Sequence, residues 1–147
     1  MSNAAKAKGT RWETALAAFF RTAGIGAYRP AQAGFRDVGD LHGLDPFVGQ
    51  AKDYKSWQDA IREGLDGAEK QKLHAGQLYG VAFIKRARRG AGAGYAVTTV
   101  ATWARVLIRL RRAEELLRDH VPIAVYDAHI RQAEAEAGEA FGKELSP

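Results

Sequence analysis

Residues 38 to 52 run Val-Gly-Asp-Leu-His-Gly-Leu-Asp-Pro-Phe-Val-Gly-Gln-Ala-Lys. They read as two short strands joined by a turn near Asp45-Pro46, since Asp-Pro is turn chemistry. Side chains two apart on a strand share a face. Gln50 and Lys52 therefore project together, and a hairpin brings Asp40 beside them. A chain built around such a hairpin needs helices to cover the sheet, and helical patterns stand on both sides of it.

The helix before the hairpin is expected from about Thr10 to Ala23. Trp12, Leu16, Phe19, Phe20 and Ala23 fall on one face, and Gly24 and Gly26 end the helix. Residues 1 to 9 read as a flexible basic arm, and residues 27 to 36 as an irregular first strand and loop. After the hairpin, Ser56 starts a second helix with Asp59 as its capping partner. Trp57, Ile61, Leu65, Ala68 and Lys72 share a face, while Gly64 and Gly67 weaken the helix. Leu78 to Ile84 and Tyr95 to Val100 are strand-like and flank the basic, glycine-rich loop Lys85 to Gly94. A third helix follows from about Ala101 to Asp119, with Trp103, Val106, Leu107, Leu110 and Leu117 inward. Pro122 breaks the chain before a polar helix from about Tyr126 to Leu145. The expected fold class is α/β. One domain over residues 10 to 119 holds a central mixed β-sheet flanked by helices, and residues 120 to 147 form a C-terminal helical extension.

Composition narrows the function classes. The 147 residues suit one domain, and 46% are hydrophobic, enough for a core. A net charge of +5 and a pI near 9.6 favour a polyanionic partner. There is no cysteine, which excludes disulfides and zinc-thiolate sites. No apolar run approaches the ~20 residues of a membrane span, and the first residues lack the apolar core of a secretory signal. The expectation is a cytoplasmic protein with no membrane partner.

The chemistry-bearing residues gather around the hairpin. An acid, an oxygen ligand and a lysine on one sheet face suit metal-dependent phosphodiester cleavage: Asp40 and Gln50 as ligands of Mg²⁺, Lys52 to stabilise charge at the phosphate or to orient the attacking water. Asp37 and Asp45 compete with Asp40. Asp45 belongs to the turn, and Asp37 has the opposite parity. His42 shares parity with Asp40, and a surface or half-buried histidine is its plainer reading. Glu13 has two readings. Thr10-Arg-Trp-Glu13 is a capping box, yet Glu13 also lies on the rim of the helix's apolar face, where its carboxylate could join a metal site. Lys85, Arg86, Arg88 and Arg89 form a loop suited to phosphates or simply to solvent. Arg105, Arg109 and Arg112 form a helical stripe open to the same two readings.

Together Gly9-Thr-Arg-Trp-Glu13, Gly39-Asp40, Gln50-Ala-Lys52 and Val81-Ala-Phe-Ile-Lys85 resemble the PD-(D/E)XK nuclease superfamily. The similarity is strongest to archaeal-type Holliday junction resolvases and their bacteriophage relatives, and it covers roughly residues 9 to 110. It implies a restriction-endonuclease-like fold and a Mg²⁺-dependent, structure-selective DNA endonuclease, with Mn²⁺ as a substitute metal. The implied substrate is a four-way junction and the implied assembly a homodimer. The setting is cytoplasmic, the host's cytoplasm for a phage-encoded member. The implied site is Glu13, Asp40, Gln50 and Lys52, with Glu13, Asp40 and Gln50 on the metal. Lys85, Arg86, Arg88, Arg89, Arg11 and Lys55 are the candidate DNA contacts, and Lys85, at the end of the next strand, is alternatively a further active-site lysine. One departure stands out: the family usually has Glu where this chain has Gln50, and an amide brings a ligand oxygen without charge. That keeps a second reading open, a nuclease-derived DNA-binding protein that does not cleave. A third keeps the chemistry and changes the substrate to DNA ends or flaps.

Overall fold

A computed structural model describes residues 3–30 and 39–142. Helix α1 (Asn3–Thr22) leads to β1 (Phe47–Lys52), α2 (Trp57–Ala75) and β2 (Tyr79–Ile84). A single 3-10 turn (Ala91–Ala93), the short β3 (Tyr95–Val97), α3 (Val100–His120) and α4 (Ile123–Gly142) complete the chain. The strands form one mixed sheet in the order β1-β2-β3. β1 and β2 run parallel, with Gln50 opposite Ala82 and Lys52 opposite Ile84, and β3 pairs antiparallel to β2. The α/β expectation holds. A parallel pair needs a crossover, and α2 provides it.

Each sheet face has its own helix. Trp12, Leu16 and Ala17 of α1 pack with Leu41, Ala51, Val81 and Phe83 on one side. The buried indole N–H of Trp12 donates to the Phe83 carbonyl at 3.0 Å, which ties α1 to the central strand. Ala60 of α2 packs with Ala82 and Ile84 on the other side. α2 is continuous through Gly64 and Gly67, capped by Ser56, whose hydroxyl accepts from the Asp59 N–H at 3.2 Å. The glycines thus have a packing role. A Cβ on Gly64 would lie 2.9 Å from the Ala82 Cβ. The buried stripe of α2 is accordingly Ala60, Gly64, Ala68 and Gln71; of the face read from the sequence only Ala68 is fully buried, and Trp57 is 55% exposed. Small residues win this face because they let helix and sheet approach closely.

Four further expectations need correction. The arm over residues 1 to 9 is helical from Asn3, since its Ala and Lys residues are strong helix formers. Thr10 therefore lies inside α1, and the capping box does not form; the Thr14 hydroxyl donates to the Thr10 carbonyl at 2.8 Å instead. The hairpin partner of β1 is reduced to single bridges, Leu41 to Gly49 and Tyr28 to His42. The rest of the expected first strand and loop, with Asp37, lies outside the described residues. Finally, Trp103, Leu110 and Leu117 of α3 do not turn inward; Trp103 is 61% exposed. The sheet already has a helix on each face, so α3 finds no face to cover. Among the described residues no helix is long and apolar enough to cross a membrane.

Candidate active site on the edge strand

Gly39 takes φ 101°, a left-handed conformation natural only to glycine, and a Cβ there would lie 2.5 Å from Val48 Cγ2. This close turn delivers Asp40 to the edge of β1, where its N–H donates to the Gly49 carbonyl at 2.9 Å. The Asp40 carboxylate accepts the Ala51 N–H at 2.8 Å and also the side-chain amide of Gln50. Gln50 is 6% exposed and lies beneath Gly67, where a Cβ would come within 3.1 Å of its Oε1. Lys52 follows on the same face, its stem beneath Gly64. Its ammonium stands 5.8 Å from the centroid of the Tyr54 ring, close enough for a cation–π contact.

Tyr54 and Glu63 extend this group, and neither was singled out from the sequence. The Tyr54 hydroxyl donates to the Glu63 carboxylate at 2.8 Å. That hydrogen bond, with burial and the charges of Glu63 and Asp40, raises the Tyr54 pKa above the ordinary phenol value. The phenol thus stays protonated and a donor at neutral pH. The parity that joins Gln50 to Lys52 also reaches residue 54, so the period-2 signal was available. Glu63 lies on α2, and no local pattern connects it to β1.

Glu13 belongs to α1, whose Trp12, Leu16 and Ala17 pack on the sheet face opposite the one that Ala60 of α2 covers, and its carboxylate accepts from Arg29 Nε at 2.7 Å. Asp45 accepts from the side-chain amide of Gln77, consistent with its turn position. His42 forms the bridge with Tyr28, the two rings 5.7 Å apart. Lys85, counted among DNA contacts, donates to Asp53 at 3.1 Å, and Lys8 meets the same carboxylate at 3.0 Å. The Asp53 side chain is only 7% exposed, so both cations hold a nearly buried charge. Sequence reading missed Asp53, whose parity is opposite to that of Lys52. Arg86 lies 5.0 Å from the Tyr95 ring centroid. Arg86, Arg88, Arg89, Arg11 and Lys55 are exposed.

The donors at Asp40 suit a hard cation. Carboxylate and carboxamide oxygens are its preferred ligands, and Mg²⁺ commonly uses one or two protein ligands, filling its shell with water and phosphate. Turning the Gln50 amide about its last bond would present Oε1 beside Asp40 with no change of shape. Among the described residues no three histidine, aspartate or glutamate side chains gather as a metal-binding group. Compared with protein-family models, curated proteins and solved structures, the chain matches none.

Proposed function

We propose that this chain is a Mg²⁺-dependent, structure-selective DNA endonuclease with a restriction-endonuclease-like core, acting on four-way junctions. The observation that carries the reading is the pairing of the Asp40 carboxylate with Gln50 on the strand that also bears Lys52. The order of α1, the Asp40 segment, β1, crossover helix and parallel β2 supports it. Asp40 and Gln50 would hold the cation, which would supply Lewis-acid activation of water and neutralise charge at the phosphate. Lys52 is free of any carboxylate ion pair among the described residues, and its ammonium would stabilise the charge that develops on the phosphoryl oxygens. Tyr54 would orient Lys52 through its ring. Exposed Arg86, Arg88 and Arg89 would hold DNA at a distance from the reacting bond. Glu13 is paired with Arg29 and is left outside the centre proposed here.

The rival reading is a DNA-binding protein without cleavage, favoured by the neutral Gln50 and by the Arg29 partner of Glu13. One experiment separates the two. A labelled four-way junction and a matched duplex are incubated with Mg²⁺ and with EDTA, using wild type, Asp40→Ala and Lys52→Ala. The expected result is Mg²⁺-dependent nicking of the junction by wild type alone, with all three proteins binding it. Binding without nicking at any Mg²⁺ or Mn²⁺ concentration would favour the rival. Nicking of the duplex alone would keep the chemistry and replace the substrate by DNA ends or flaps.

A further inference from the structure

An aromatic slot lies between α1 and the glycine-rich loop, on the α1 face of the sheet. Trp12 and Leu16 pack against Phe83 there, and the 3-10 turn Ala91–Ala93 meets the same helix. The fit is incomplete. Among the described residues a cavity of about 130 Å³ remains, with the buried Trp12 and Phe83 at its base and the exposed Tyr95 and Ala96 at its rim. The rings of Phe20 and Phe83 stand 5.3 Å apart, edge to face. Small residues of the loop make the other wall: a Cβ on Gly94 would lie 3.0 Å from Trp12 Cη2 and close on the indole. Protein interiors otherwise pack to the density of organic crystals. An open slot lined by aromatic rings has room for one flat apolar ring, since a cavity of roughly 150 Å³ holds a benzene.

Charge indicates what carries that ring. From Lys85 to Ala113 the chain has no acidic residue. The Lys85 ammonium stands 6.0 Å from the centroid of the Trp12 ring, and the Arg86 guanidinium 5.0 Å from that of Tyr95. Arg88 and Arg89 are exposed on the same loop. Cations interleaved with aromatic faces suit a nucleotide: the rings stack on the base and the cations meet the phosphates beside it. The indole N–H of Trp12 already donates to the Phe83 carbonyl, so the slot selects by size rather than by hydrogen bonds. Room for one ring favours a pyrimidine over a purine. Taking a base out of a stacked pair is unfavourable, and least so where the base is already unpaired.

We infer that this slot receives one unpaired pyrimidine of the DNA, stacked against the aromatic rings while its phosphates meet Arg86, Arg88 and Arg89. The inference rests on the DNA-binding part of the proposed function and deepens it. The preferred junction carries an unpaired pyrimidine at its branch and is not fully paired.

The test measures binding by fluorescence anisotropy in EDTA, so that cleavage plays no part. The junctions differ only at the branch, which is fully paired or carries an unpaired thymine, an unpaired adenine or an abasic residue. Wild type should bind the thymine junction roughly 5- to 150-fold more tightly than the abasic one, the range given by one base on an aromatic ring. It should also bind it more tightly than the adenine and fully paired junctions. Ala96→Phe fills the rim without removing a core side chain. It should bind the thymine and abasic junctions alike, with wild-type affinity for the abasic one. A second measurement does not depend on that variant folding. In Trp57→Phe with Trp103→Phe, Trp12 is the one tryptophan left. Its emission should be quenched by the thymine junction and not by the abasic one. Equal wild-type affinity for thymine and abasic junctions overturns the inference, as does adenine or full pairing bound as tightly as thymine, a thymine preference that survives Ala96→Phe, or unquenched Trp12. Absence of a thymine preference together with a melting temperature lowered by Ala96→Phe would assign the slot to another segment of this chain. Binding without a thymine preference fails the slot alone, whereas no binding to any junction fails the DNA reading beneath it.

Discussion

The side-chain amide of Gln50 donates to the carboxylate of Asp40, and both lie at the edge of the strand that carries Lys52. The pair is neutral on one side and charged on the other. Asp40 also accepts the Ala51 N–H, so its carboxylate is held from two directions before any ligand arrives. A preorganised acceptor of this kind is what a cation or a water molecule would meet.

Gln50→Glu replaces the amide donor with a second carboxylate beside Asp40. In metal-free buffer at pH 7, two like charges in place of this hydrogen-bonded pair should lower the melting temperature. Added Mg²⁺ should restore it, since affinity for hard cations rises with ligand charge. Half-maximal cleavage should need less Mg²⁺ than in wild type. Thermal melts and a Mg²⁺ titration on one junction substrate measure both effects. Identical curves for the two proteins would remove Gln50 from the metal site.

Glu13→Gln tests the role that the structure gives to Arg29. The pair is partly exposed, with side-chain accessibilities of 19% and 38%. Its loss should therefore cost no more than about 1 kcal/mol. Cleavage should stay within a few-fold of wild type. Loss of most activity without a change in melting temperature would return Glu13 to the catalytic group.

The loop after β2 should carry salt-dependent affinity. Replacing Arg86, Arg88 and Arg89 together with Ala should weaken junction binding. The log K against log salt slope should become shallower by up to about 0.9 for each arginine that touches a phosphate. Lys85 is left in place because it holds Asp53. An unchanged slope would mean the loop does not meet DNA.

Gly64→Ala sets two effects against each other. Alanine gains about 1 kcal/mol of helix propensity over glycine. Its Cβ, however, would sit 2.9 Å from the Ala82 Cβ and 3.2 Å from the Lys52 Cγ. Overpacking of this kind costs about 1–3 kcal/mol. A net loss of stability is expected by denaturant unfolding, with some displacement of Lys52 and a lower cleavage rate. A more stable variant would show that α2 can lift from the sheet without cost.

Local chemistry in the sequence determined much of this protein. Ser56 as a cap, the strands at Phe47–Lys52 and Tyr79–Ile84, the helices around them and the meeting of Asp40 with Gln50 all follow from period, parity and turn residues within a few positions. Those signals are short-ranged, and the forces behind them act between near neighbours. Tertiary structure decided what depends on the identity of a distant partner. Glu13 could cap its helix or face the sheet, and Arg29, sixteen residues away, settles where its carboxylate goes. Asp53 had no pattern to mark it until Lys8 and Lys85 met it. The apolar stripe of α3 looked like core because amphipathic spacing records only that a face needs covering. Whether the cover comes from the same chain depends on how many sheet faces remain, and α1 and α2 had already taken both.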